Sequence, residues 1–144
     1  MTTASVQTSE LGLSKARMVG VVTALSLAAI HLIEMPEDYA EMPYLGVLFG
    51  VGGVLLVVAA VGLMQRSSAR LAWATGAMIA AGMLLGYSIS RTVGLPGMEP
   101  EPWGEPLGVV SLVLEVALIA AAAIAFVAHS RSRETARSSS HART

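Results

Sequence analysis

Four apolar segments occupy most of this 144-residue chain: Arg17–Glu34, Tyr44–Met64, Leu71–Ser90 and Leu107–Ala128. Each is close to the roughly 20 residues that an α-helix needs to cross a bilayer core. Lipid gives backbone amides no hydrogen-bond partner, so such segments cross as helices, which satisfy their own donors and acceptors. Short connections make consecutive helices antiparallel neighbours. The sequence therefore predicts an all-α fold, an integral membrane antiparallel four-helix bundle over residues 17–128. A cytoplasmic segment 1–16 precedes it, and a disordered basic cytoplasmic tail 129–144 follows. Composition agrees, at 54% hydrophobic and only 13% charged residues, against about 25% charged in a soluble domain. Lys15 and Arg17 ahead of the first span resemble the start of a signal peptide. No small-x-small cleavage site leads into a soluble chain, however, and three further spans follow, so the first span reads as a retained helix.

Charge placement gives the direction. Lys15, Arg17, Arg66, Arg70, Arg131, Arg133, Arg137 and Arg143 fall on one side of the predicted membrane, and only Arg91 falls on the other. Basic residues stay cytoplasmic, which predicts a plasma-membrane protein with both termini inside. Glu34, Glu37, Asp38, Glu41, Glu99, Glu101 and Glu105 gather at the outer boundary. Carboxylates contribute little to insertion, so this cluster reports solvation or the attraction of cations. With no cysteine, disulfides and thiolate metal sites are excluded. A net charge of −1 gives no sign of a nucleic-acid binder.

The outer loops carry turn and stop signals. Pro36 is expected to end the first helix, because proline lacks the amide donor and clashes with the preceding turn. A new single turn over 37–41 then leads to Pro43, which opens the second span. The second loop, RTVGLPGMEPEPWGEP, mixes proline and glycine into turns, with Trp103 as an interfacial anchor and Pro106 in the first turn of the fourth span. Small residues let helices approach in lipid. The predicted seams are Gly46, Gly50 and Gly53; Thr75, Gly82 and Gly86; Gly108, Ser111, Glu115 and Ala122; and Gly20, Thr23, Leu27, His31 and Glu34.

Glu115 is the least expected residue, about 12 Å inside the fourth span at 1.5 Å per residue. A charged side chain at the centre of a membrane helix costs about 2.5–3.5 kcal/mol on insertion scales. It is therefore paired, protonated or hydrated, serving either packing or a proton or ligand site. His31, about one turn inside the outer end of the first helix, reads as an interfacial hydrogen-bonding group or as a metal ligand. With Glu34, Glu37 and Glu41 it would suit a hard or borderline divalent ion; convergence of Met35, Met42 and Met98 would shift the preference to copper(I). Haem, through His31 alone or paired across a dimer, ranks lower. Arg91 is expected in an ion pair that organises the outer half of the bundle, reaching Glu115 or Glu34 with its planar fork.

Several of these residues lie in recognisable runs. Ile30-His31-Leu32, Pro36-Glu37-Asp38-Tyr39, Pro43-Tyr44-Leu45-Gly46, Ser90-Arg91-Thr92-Val93-Gly94-Leu95-Pro96-Gly97 and Trp103-Gly104-Glu105-Pro106-Leu107-Gly108, then Glu115, resemble small four-span membrane proteins of actinobacterial type. The resemblance covers about residues 18–128. It implies the four-span topology and brings no reaction with it.

The leading functional expectation is a non-enzymatic membrane protein whose outer-facing polar site binds a small ligand or cation. His31, Glu34, Arg91 and Glu115 form the site's core, with Glu37 and Glu41 at its rim. One alternative is a dimeric proton-coupled transporter working through Glu115. Another is a structural or assembly subunit of a larger membrane complex. Catalysis ranks last, since there is no nucleophile–base pair, no histidine pair and no phosphate loop.

Overall fold

The computed structural model describes the backbone of residues 3–65 and 67–141 and the side chains of residues 15–65 and 67–131. Four helices follow in order: α1 (Thr3–Glu41), α2 (Pro43–Met64), α3 (Ala69–Thr92) and α4 (Pro106–His141). Each holds a stretch long and apolar enough to cross a membrane: Lys15–Glu41, Pro43–Met64, Ala69–Thr92 and Pro106–Arg131. The protein is an all-α, multi-pass integral membrane protein. Consecutive helices pack on each other, and α4 closes the ring against α1. Aliphatic side chains such as Val54, Val58, Val113, Val116 and Ile124 cover the outside, a face suited to acyl chains and not to water.

One boundary departs from expectation. Pro36 does not end the first helix; α1 runs through it to Glu41. Proline deprives the Leu32 carbonyl of its donor, yet membrane helices tolerate this where neighbouring structure supports the turn. Helical bonding is intact beyond it, with the Met42 amide donating to the Asp38 carbonyl at 2.8 Å. Pro43 and Pro106 both sit in the first turn of their helices, as expected. At the other end, α4 stays helical to His141, with no proline or glycine after Gly108 to stop it. His129 lies within this helix, its Nδ1 2.9 Å from the Ala125 carbonyl oxygen. Arg66 and Arg143 lie outside the described residues, as do the side chains of Arg133, Arg137 and His141.

Small residues set the closest approaches. The expected face of Gly46, Gly50 and Gly53 does pack on α1. A Cβ at Gly46 would strike the Tyr39 backbone, one at Gly50 would lie 2.8 Å from Met35 Sδ, and one at Gly53 would lie 2.8 Å from Leu32 Cγ. Gly20 opposes the Trp73 indole and Leu63. Around that contact Leu27, Leu56, Leu63, Trp73 and Leu118 are buried and fill the bundle toward its terminal end. The α3 seam behaves differently. A Cβ at Gly82 or Gly86 would meet nothing within 4 Å, so these glycines face space and not a partner helix.

This contrast makes a test. Gly46→Val should destabilise the bundle by about 1–3 kcal/mol through overpacking. Gly82→Ala should leave stability unchanged or raise it by up to about 1 kcal/mol, since alanine favours helix over glycine. Reversible denaturant unfolding in micelles, followed by far-UV circular dichroism, measures both.

Candidate functional site

The space beside Gly82 and Gly86 belongs to a cavity of about 690 Å³ at the end of the bundle that carries the α1–α2 and α3–α4 connections. Pockets of about 300–1,000 Å³ hold small-molecule ligands. Its walls are mostly apolar, with Tyr44, Leu48, Phe49 and Leu55 from α2 and Ile79, Met83 and Tyr87 from α3. His31, Glu34, Arg91 and Glu115, together with Glu37 and Glu41, all line it. The six residues expected from the sequence therefore share one space.

The floor is made by His31 and Glu115, 3% and 1% exposed. His31 lies ten residues before the end of α1, about 15 Å at 1.5 Å per residue; Glu115 lies nine residues into α4, about 13 Å. The continuation of α1 past Pro36 thus puts His31 nearly three turns from its helix end, not one, and level with Glu115. His31 Nε2 stands 3.9 Å from Glu115 Oε1, too far for a direct hydrogen bond. His31 Nδ1 and Glu115 Oε2 have no hydrogen-bond partner among the described residues. Buried polar atoms are otherwise nearly always satisfied, so these two stand out as unused hydrogen-bonding capacity at the floor. Phe49 backs the imidazole, with ring centroids 4.9 Å apart.

The mouth is acidic. Glu34, Glu37, Asp38 and Glu41 come from the last two turns of α1, Glu99 and Glu101 from the α3–α4 loop, and Glu105 from the residue before α4. Glu34 meets the Glu105 carboxyl, and Asp38 Oδ2 is buried without a partner among the described residues. Arg91 forms the expected organising ion pair, but with other partners. Its guanidinium bonds Glu101 through Nη1 and Glu105 through Nη2, and lies 4.7 Å from the Tyr87 ring centroid. Arg91 closes α3 at the level where α4 begins, so the two loop acids are within reach and Glu115 lies turns deeper.

That pairing folds the loop over the bundle. The Glu101 amide donates to the Ser90 carbonyl at 3.2 Å, Tyr44 Oη to the Pro96 carbonyl at 2.9 Å, and Tyr87 Oη to the Trp103 carbonyl at 3.1 Å. Gly94 and Gly97 take φ of +80° and +87°, conformations that side chains disfavour. Their glycines are what lets the loop double back.

No family model, curated protein or solved structure matches this chain. Its chemistry must be read from the cavity itself. Among the described residues no three histidine, aspartate or glutamate side chains stand together as a metal-ligand set. The acids are spread around a wide mouth, and of Met35, Met42 and Met98 only Met98 lines the cavity. Met35 is instead packed on Gly50 and Met42 on Gly97. The sequence reading missed Asp38, Glu101 and Glu105 as site residues, although Glu105 directly before Pro106 was a visible cue. It also missed Phe49 and Tyr87, which look like ordinary membrane aromatics until their neighbours are known.

Arg91→Gln removes both loop ion pairs. It should loosen residues 94–105 by about 1–2 kcal/mol, less than a buried pair because Glu101 and Glu105 stay partly solvated. Hydrogen–deuterium exchange of that segment should rise, and Arg91→Lys should recover only part of the protection, lacking the planar fork.

Proposed function

We propose that this protein is a non-enzymatic membrane protein that binds a small cation-bearing ligand in its acid-lined cavity. One observation carries the reading. Eight carboxyl groups, those of Glu34, Glu37, Asp38, Glu41, Glu99, Glu101, Glu105 and Glu115, line a single cavity. Among the described residues the only arginine or lysine lining it is Arg91, which two of those carboxylates already engage. Clefts of one sign with low-dielectric walls concentrate ions of the opposite sign. The basic residues flanking the other end of the spans orient the termini to the cytoplasm by the positive-inside bias. The mouth then faces outward from the plasma membrane, where the acids draw cations from the external solution. The runs that resemble small four-span proteins contribute His31, Arg91, Glu105, Gly108 and Glu115 to the cavity, so we assign the same site to proteins sharing those runs.

Binding is a better reading than transport on one physical ground. From Glu115 toward the termini the described interior is packed chiefly by apolar side chains, Leu27, Leu56, Leu63, Trp73 and Leu118 among them. The expected test uses the protein in phosphatidylcholine nanodiscs, with methylammonium, choline and Mn²⁺ titrated against acetate and phosphate by isothermal calorimetry. At least one cation should bind saturably and both anions should not. Glu115→Gln should weaken the cation by about tenfold or more, the worth of one charge-assisted hydrogen bond. Silence from every cation, or a preference for anions, removes the proposal.

A further inference from the structure

The cavity is not closed on all sides toward lipid. Near the termini α2 and α3 touch closely: a Cβ at Gly62 would lie 2.8 Å from the Ala72 Cβ, and one at Gly76 would lie 3.7 Å from the Ala59 Cβ. Toward the acidic end that close contact is not repeated at Gly82 or Gly86. Leu48, Val51 and Leu55 on α2 line the cavity and are exposed. Opposite them Gly82 and Gly86 line the same cavity with nothing within 4 Å of a Cβ. Met83 and Ile79 reach across to Gly52, Met83 with its methyl group. The gap therefore joins the cavity to the region that acyl chains occupy, and its edges are apolar.

A small-residue gap is not a site by itself, and the second observation is the floor. Glu115 Oε2 and His31 Nδ1 are buried, unpartnered among the described residues, and belong to residues that line the cavity. An amine N–H can be donated to the carboxylate oxygen, and another to an unprotonated imidazole nitrogen. Around them the wall is aliphatic and aromatic. Resting on the cation-binding reading above, we infer that the ligand is a single-chain amphiphilic amine that enters sideways between α2 and α3. Its ammonium group lies between Glu115 and His31, and its chain lies along Leu48, Leu55 and Met83 into the gap. A phospholipid amine fits less well, because its phosphate would lie among the carboxylates of the mouth.

Photolabelling in phosphatidylcholine nanodiscs tests this with dodecylammonium carrying a diazirine on its chain. Labelling should saturate, map by mass spectrometry to residues 45–56 and 79–86, and fall at least tenfold with excess unlabelled dodecylammonium. Equimolar dodecanol should not compete, and neither should phosphatidylethanolamine. Gly82→Leu, which fills the gap, should lower saturable labelling at least tenfold while the melting temperature stays within a few degrees.

Unsaturable labelling spread over Val113, Val116 and Ile124 overturns the inference, as does Gly82→Leu without effect. Equal competition by dodecanol overturns the need for charge, and equal competition by phosphatidylethanolamine overturns the single-chain ligand. Methylammonium separates the two proposals. If it binds in the cavity while the long-chain probe does not saturate, the cation site stands and the lateral route falls. If neither binds, both fall.

Discussion

A bilayer supplies no hydrophobic force to draw one helix onto another, because acyl chains are as apolar as leucine. Contact must come from fit, and in this protein fit is unequal along the bundle. Toward the termini small residues allow close contact, as where Trp73 packs over Gly20 and Ala72 meets Gly62. Toward the connections the small residues of α3 have no large counterpart, so Gly82 and Gly86 leave volume unfilled. The cavity is the consequence. A single set of helices is thus solid at one end and hollow at the other, with the change falling near the level of Glu115.

The polar residues follow that division. A carboxyl group facing acyl chains would cost a few kcal/mol, and an unfilled interior is where one can be held away from them. Glu115 continues the buried stripe of Gly108, Ser111, Leu118 and Ala122 on α4, which turns it inward. Thr23, Leu27 and His31 do the same on α1. Neither residue closes the other's hydrogen-bonding capacity at 3.9 Å. The hollow end therefore carries unused donors and acceptors at its floor and an excess of carboxylates at its mouth, with apolar walls between them.

The helices and their inward stripes were legible in the sequence because apolar length and heptad-like spacing are local properties. That His31, Glu34, Arg91 and Glu115 belong to one end of the bundle was legible as well, from helix order and charge placement, whereas their depths were not, His31 and Glu115 lying turns below Arg91. What escaped were features decided across helices. Pro36 carries the usual stop signal, and only the support of neighbouring turns lets α1 continue. Arg91 had several acids within sequence reach, and the doubling back of Gly94–Gly97 selected Glu101 and Glu105. Gly82 and Gly86 looked like an interface, whereas whether a glycine accommodates a neighbour or leaves a void depends on a residue in another helix. The same ambiguity hid the tapered α2–α3 pair.

The choice made by Arg91 sets the character of the mouth. Had its guanidinium reached Glu115, the floor would be neutralised and the loop would lose both ion pairs, keeping its hydrogen bonds to Ser90, Tyr44 and Tyr87. Paired at the surface level with Glu101 and Glu105, it instead ties the loop down beside Tyr87. Its charge is spent near the headgroups, and Glu115 at the floor is left uncompensated by any described arginine or lysine in the cavity wall. Fixing the loop with the only nearby cation and keeping an acidic interior are therefore one arrangement. Apolar walls separate that floor from the acidic mouth, so the two sets of carboxyl groups sit in different surroundings within one cavity.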